Sequence, residues 1–123
     1  MATQALLERT ITSTHNPTSG RYDAQRLARL LGISTAAVAR IIGRNDSAVR
    51  KHPDAPAYQA ELARLVRLLT RLNKALGSAK NTRIWLNATS DDLGGKTPMS
   101  YLLKGQLAIV ETLVDAALTG EGI

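Results

Sequence analysis

The chain contains no cysteine and no phenylalanine, and aromatic residues make up only 3% of its 123 residues. Without cysteine it cannot form a disulfide, a thiolate metal site or a cysteine nucleophile. Its core must be built from leucine, isoleucine, valine and alanine, a composition that favours helices, and no alternating strand pattern is visible. We therefore predict an all-α fold.

Signals for secretion or membrane insertion are also lacking. The N-terminus does not show a basic stretch followed by an apolar one. No apolar run approaches the roughly 18 residues of a membrane-spanning helix. We expect a cytoplasmic protein that makes no contact with a membrane.

Residues arranged for catalysis or metal binding are missing too. His15 and His52 stand far apart in polar contexts, and no Ser-His-Asp set has a plausible setting. The adjacent residues Asp91 and Asp92 point in opposite directions. Because few aromatic side chains could line a pocket and no candidate base is present, we expect no enzymatic activity, no catalytic residues, no metal and no cofactor.

The segment Gly94-Gly95-Lys96-Thr97 ends like a nucleotide-binding P-loop but does not fulfil that motif. Ser90 stands where the motif requires glycine, and no strand precedes it. We interpret the segment as a tight turn that leads into a helix, because Thr97-Pro98 combines a hydroxyl cap with proline at the first helical position.

The charge is distributed unevenly along the chain. Residues 1–80 carry 13 Lys and Arg against 5 Asp and Glu, a net charge of +8, whereas residues 81–123 carry 3 against 5, a net charge of −2. This asymmetry indicates two surfaces with different partners, of which the basic one could attract a polyanion. A solvated surface that keeps the protein soluble explains the charge equally well.

Two short helices joined by a tight turn are predicted between Asp23 and Gly43. Asp23 and Ser34 are good N-caps, and Gly32 and Gly43 are the residues expected where helices end. Ala28, a small residue where the helices would cross, precedes Gly32 by four positions. Apolar residues stand where the two helices would pack, namely Leu27, Leu31, Ile33, Val38 and Ile41. This pattern of caps, turn glycines and apolar positions is typical of a helix-turn-helix.

The second of these helices is the one we expect to read DNA. Its outward positions at the entry are Ser34, Thr35, Ala36, Ala37 and Ala39, which offer little hydrogen-bonding readout. Arg40 and Arg44 can reach guanine bidentately, and the residues that follow would sooner contact phosphates. The predicted DNA-binding residues are Ser34, Thr35, Arg40, Arg44, Asn45 and Arg50. Alternatively, Arg40 and Arg44 lie on a solvated face and their stems merely cover the core.

A long helix is predicted over residues 57–76, after two prolines. Its apolar residues follow a heptad spacing, and Arg64, Arg67, Arg71 and Lys74 form a basic stripe. The apolar seam is either part of the chain's own core or a homodimer interface, since helix-turn-helix proteins commonly bind paired half-sites as dimers. The candidate dimer residues are Leu62, Leu65, Leu69 and Leu72.

The organisation that follows is an arm or linker over residues 1–20, a helix-turn-helix with its long helix over 21–77, and a second helical unit over 81–123. The breaker-rich segment 77–82 marks the boundary, and Asn81 or Thr82 is expected to cap the next helix. Trp85, the only tryptophan, is either a core residue or an anchor for a partner.

Residues 83–119 resemble the C-terminal toxin-binding domain of Xre/MbcA/ParS-type antitoxins, the partners of RES-domain toxins. The order of units, with an Xre-like helix-turn-helix first, is also similar to that family. The residues that carry the resemblance are Trp85-Leu86, Leu93 to Pro98, Leu102-Leu103, Gly105, Val110 and Leu113.

The resemblance implies an antitoxin of a type II toxin–antitoxin module. Such a protein binds an NAD-depleting toxin over the entrance to its NAD cleft and represses its own operon, as a homodimer within a hetero-oligomeric complex. The positions that match the family's motif are Trp85, Gly95, Lys96, Thr97 and Pro98. The tail is a candidate to enter the cleft, and Tyr101 and Ile123 have the size of anchors; the tail comprises Gly120, Glu121, Gly122 and Ile123. The alternative is a helix-turn-helix regulator without a toxin partner.

Overall fold

The computed structural model describes residues 14–119, and within them it contains seven α-helices, two single-turn 3-10 helices and no β-strand. The prediction of an all-α fold is confirmed for this part of the chain. The α-helices are α1 (Ala24–Leu31), α2 (Thr35–Ile42), α3 (Asp46–Lys51), α4 (Gln59–Leu76), α5 (Ala79–Leu86), α6 (Pro98–Leu103) and α7 (Leu107–Thr119). The 3-10 helices are Pro56–Tyr58 and Asp91–Leu93.

The ends of α1 and α2 are formed by the residues predicted to form them. The Asp23 carboxylate accepts hydrogen bonds from the backbone N–H groups of Gln25 and Arg26, and the Ser34 hydroxyl accepts one from Ala37. Both helices end at a glycine with a left-handed backbone, Gly32 at φ 71° and Gly43 at φ 70°. Residues with a Cβ seldom adopt this backbone conformation, so a glycine at this position ends the helix sharply.

Residues 14–20, which the sequence assigned to an arm or linker, form a turn that packs on the helices. The backbone N–H of Asn16 donates to the Arg21 carbonyl over 2.7 Å, and the His15 ring lies on the Tyr22 ring with centroids 4.4 Å apart. Gln59 of α4 bonds both the N–H and the carbonyl of Tyr22, each over 2.8 Å. The described part of the arm therefore packs on Tyr22, whose backbone is bonded to Gln59 of α4.

The long helix α4 lies in the middle of the core. Its four candidate dimer residues are between 0 and 3% exposed within the single chain, and they are Leu62, Leu65, Leu69 and Leu72. Side chains that are already covered cannot meet a second copy, so the structure favours the interpretation of this seam as the chain's own core. A dimer would have to use other residues.

The break between α4 and α5 is shorter than the sequence indicated. Gly77 ends α4 at φ 93°, and the Ser78 hydroxyl caps α5 by accepting from the Asn81 N–H over 3.0 Å. The expectation that Asn81 or Thr82 caps this helix is wrong. Thr82 is instead buried inside α5, where its hydroxyl donates to the Asn73 side-chain carbonyl over 2.6 Å.

One hydrophobic cluster joins the residues of α1–α4 with those of α5–α7. The second half contributes Leu86, Met99, Leu102, Leu107, Val110 and Val114 to it. Two ion pairs, Arg64–Glu111 and Arg71–Asp115, also connect α4 with α7. The Arg83 guanidinium of α5 donates to the Leu30 carbonyl at the end of α1 over 3.0 Å. The two predicted units therefore share a single core.

None of the helices in the described range combines the length and the apolar character that crossing a bilayer requires.

Candidate partner-binding surfaces

The segment between α5 and α6 is a closed turn. The Ser90 N–H donates to the Lys96 carbonyl over 2.9 Å, and the Gly95 N–H donates to the Ser90 carbonyl over 2.8 Å. Gly94 and Gly95 have φ values of 64° and 83°, which explains the paired glycines. The Thr97 hydroxyl then accepts from the Ser100 N–H over 3.1 Å, and Pro98 is the first residue of α6. The interpretation as a tight turn that leads into a helix is confirmed.

Helix α7 has two apolar stripes rather than one. Leu107, Val110 and Val114 point inward and are buried. Ile109, which is 39% exposed, and half-buried Leu113 lie on the outward side. A helix that is apolar on its outer side is commonly covered by another protein.

Two grooves lie beside the outward stripe of α7. The first has a volume of about 430 Å³ and is lined by Asp92, Leu93, Ala108, Ile109, Thr112, Leu113 and Ala116. The second has a volume of about 280 Å³ and is lined by Trp85, Ala88, Thr89, Ser90, Asp92, Pro98, Leu113 and Ala117. Leu113 and Asp92 line both grooves, so the two form one surface, which we call the α7 face.

The structure brings some of the predicted toxin-binding residues to the α7 face. Trp85 and Pro98 line the second groove. Exposed Gly95 and Lys96 lie on the turn that places Asp92 in both grooves and Leu93 in the first. Thr97 is occupied as the cap of α6.

The remaining predicted residues are placed elsewhere or lie outside the described range. Tyr101 lines neither groove; it is half-buried on α6, with the Lys104 ammonium 5.8 Å from its ring centroid. The tail residues Gly120, Glu121, Gly122 and Ile123 lie outside the described residues.

The sequence reasoning missed most of the lining that α7 supplies. The signal for it was the spacing of Ile109, Leu113 and Ala116, which is i, i+4, i+7 and so marks one face of a helix. This stripe runs beside the inward stripe of Leu107, Val110 and Val114. Because both stripes are apolar, the sequence of α7 does not show which one faces the core.

Helix α2 does not expose the face that was predicted to read DNA. Ala37 and Ala39 were expected to point outward, and this is wrong, because both are buried. Helices α1, α3, α4 and α6 all pack against α2. A Cβ placed on Gly105, just after α6, would lie 3.8 Å from the Arg40 carbonyl oxygen. Arg40 is the one exposed residue within α2.

Four of the other predicted DNA-binding residues, Ser34, Arg44, Asn45 and Arg50, have structural partners in this chain. Ser34 caps α2 and Asn45 caps α3, where the Asn45 side-chain carbonyl accepts from the Ala48 N–H. Thr35 is half-buried. Arg44 lies beyond the end of α2 and donates to Glu61 over 3.0 Å and to the Ala57 carbonyl over 3.2 Å. Arg50 forms an exposed i,i+4 pair with Asp46 over 3.0 Å.

Comparison of the chain with protein-family models, with curated proteins and with solved structures gives no match.

Proposed function

We propose that this protein is an antitoxin of a type II toxin–antitoxin module, which binds a RES-type, NAD-depleting toxin through the α7 face. The observation that carries the proposal is the meeting of two apolar grooves at Leu113. Their walls include Trp85, Leu93 and Pro98, which belong to the segment that resembles antitoxin toxin-binding domains.

The α7 face has the character of a protein-binding surface. Ile109 and Leu113 offer apolar area beside concave space, and burying such area against a partner releases roughly 25 cal/mol per Å². Asp92 and the adjacent exposed residue Asp91 place negative charge at the rim, where it orients a partner more than it adds affinity. A central apolar residue within a polar rim is the usual arrangement of an interface hot spot.

The residues that follow α7 are close in sequence to the α7 face. Thr119, the last residue of α7, lies two positions after Ala117, which lines the second groove. The four residues beyond it can span at most about 13 Å. A toxin held on the α7 face would therefore be within reach of Gly120–Ile123, which we assign to covering its NAD cleft.

The proposal includes repression of the protein's own operon. Helices α1 and α2, joined by the residues 32–34, have the lengths and the glycine turn of a helix-turn-helix. Operator binding by a homodimer accords with the basic first part of the chain. The contacts of that dimer lie outside the buried seam of α4.

The test is co-expression with the product of the neighbouring reading frame, with growth, cellular NAD and co-purification measured together. The wild-type chain should restore growth and NAD and should co-purify with the neighbour. Leu113→Asp should abolish all three effects, because it places a charge where both grooves meet.

The matched control is Ile84→Asp. Ile84 is 58% exposed and lines neither groove, so this variant should protect the cells as well as wild type does. Deletion of Gly120–Ile123 should leave co-purification largely intact but reduce protection. A neighbour that is harmless, or that the wild-type chain does not bind, would reject the antitoxin proposal. The stand-alone regulator would then be the remaining interpretation.

A further inference from the structure

We infer that α3, and not α2, is the helix that enters the DNA major groove. This inference rests on the operator binding proposed above and names the surface that performs it. The α3 face is defined here as the exposed N-cap Asn45 together with the exposed α3 residues Ser47, Ala48, Arg50 and Lys51; Asp46, also exposed, pairs with Arg50.

A recognition helix needs a free side. The major groove is about 12 Å wide and admits an α-helix whose outward side chains then reach the base edges. Four helices cover α2, and only Arg40 among its eight residues is exposed. Entry of α2 into a groove would require α6 to leave the core, and α6 carries buried Met99 and Leu102. Helix α2 is therefore unsuited to this role.

Helix α3, unlike α2, has a side that no other helix within residues 14–119 covers. Five of its six residues are exposed, and Val49 alone is buried against the core. It packs on α2 and α1, so its inner side is held by the same helices that would form the scaffold of a helix-turn-helix.

The sequence contains the helix-turn-helix spacing twice, offset by eleven residues. In the first copy buried Ala28 precedes Gly32 by four positions and buried Val38 follows it by six. In the second copy Ala39 precedes Gly43 by four positions and Val49 follows it by six, and both are fully buried.

The two copies also agree in their turns. Each glycine has a φ of about 70°, and each is followed two positions later by the N-cap of the next helix. Helix α2 is therefore the second helix of the first copy and the first helix of the second copy. Only the second copy ends in an exposed helix.

The side chains of the α3 face suit a duplex. The Arg50 side chain is 60% exposed, and its pair with Asp46 is of the exposed kind that contributes little to stability, so the guanidinium can exchange that partner for guanine. Lys51 follows at the end of the helix and can contact phosphate. Asn45 uses its side-chain oxygen as a cap and keeps its amide N–H groups for donation.

The test compares two single-arginine variants on two duplexes. One labelled duplex covers the sequence upstream of the chain's own reading frame, and the other is unrelated and of equal length. Arg50→Ala should weaken binding to the upstream duplex by roughly 5- to 100-fold and reduce the preference over the unrelated one, as expected for loss of a base contact. Arg40→Ala, which removes the same charge from α2, should weaken both duplexes equally and by less than about 3-fold.

A second measurement locates the DNA without relying on affinity. Because the chain has no cysteine, Ser47→Cys on α3 and Gln106→Cys, next to the Gly105 that approaches Arg40 of α2, each introduce a single reactive thiol at an exposed position. Saturating upstream duplex should slow alkylation of the thiol at position 47 by iodoacetamide at least about 10-fold and leave the thiol at position 106 unchanged.

The opposite pattern in either experiment would overturn the assignment, as would failure of the wild-type chain to bind either duplex. Circular dichroism melts of each variant show whether a loss of binding reflects a loss of fold. The toxin assay uses Leu113 and Ile84 variants, which lie outside the α3 face. Failure of the assignment and failure of the antitoxin proposal are therefore distinguishable.

Discussion

At the scale of single residues, Tyr58 places a phenol hydroxyl in the hydrophobic core. Its side chain belongs to the core and the residue is 5% exposed, yet its phenol oxygen has no hydrogen-bond partner among the described residues. Burial raises the pKa of Tyr58 above its usual value of 10.0. The ring stabilises the fold, while the buried hydroxyl opposes it.

We expect Tyr58→Phe to raise the free energy of unfolding by about 1 kcal/mol, because it keeps the ring and removes a buried group without a partner. Urea unfolding measures this change. The raised pKa of the native phenol means that the unfolded state loses its proton first as the pH rises. Wild-type stability should therefore decline above about pH 10 more than that of the variant. A destabilised variant would show that the hydroxyl has a partner in solution.

At the scale of the helices, the basic stripe of α4 is partly used within the molecule. Arg64 and Arg71 pair with Glu111 and Asp115 of α7, and the hydrogen bonds that Arg64 donates to the Glu111 carboxylate raise the pKa of Arg64. These pairs connect α7 with α4, and so they help to orient the α7 face. Two of the four cations of the stripe are therefore engaged within the chain.

Replacing both acids, with Glu111→Gln and Asp115→Asn, should lower the free energy of unfolding by about 1 kcal/mol, since each exposed pair contributes only a few tenths to 1 kcal/mol. The difference from wild type should nearly vanish in about 1 M NaCl, where the Debye length is about 3 Å. Urea unfolding at two salt concentrations measures both effects. Asp91→Asn, an exposed acid outside the α4–α7 contact, is the control, and an equal loss there would contradict the argument.

The helix ends were predictable from the sequence because caps and stops are local. Asp23, Ser34 and Thr97 cap the helices they were expected to cap. The N-cap of α5 was predicted wrongly because several residues that can cap a helix follow one another there. The left-handed Gly77 ends α4, and Ser78, the residue directly after it, is the one that caps α5. Which face of a helix is covered was not predictable, since alanines such as Ala37 and Ala39 fit a surface and a tight helix contact equally well.

At the scale of the whole molecule, the described residues behave as one body held by one core. Leu102 of α6 is fully buried and belongs to the same cluster as Leu27 of α1 and Leu65 of α4. The boundary that the sequence indicated at residues 77–82 is a change of helix direction within that core. The candidate surfaces on α3 and α7 are therefore parts of one folding unit.

We expect the full chain to unfold in a single cooperative transition. Leu102→Ala should lower the free energy of unfolding by about 2–5 kcal/mol. Because the core is shared, this loss should accelerate amide hydrogen exchange in the interiors of α1 and α4 as much as in α7. Exchange measured by mass spectrometry checks the distribution. Acceleration confined to α5–α7 would show that the two halves are separate folding units.

The central position of α2 limits how this protein can be recombined. Its small residues Ala37 and Ala39 allow close neighbours, and the backbone at Gly105 approaches Arg40. A chimera that took residues 1–78 from this chain and the remainder from a distant homologue would create a new contact along the whole side of α2 that faces α6. The candidate surfaces on α3 and α7 therefore cannot be exchanged independently of each other, because a new sequence for α5–α7 must also pack against α2, the helix that supports α3.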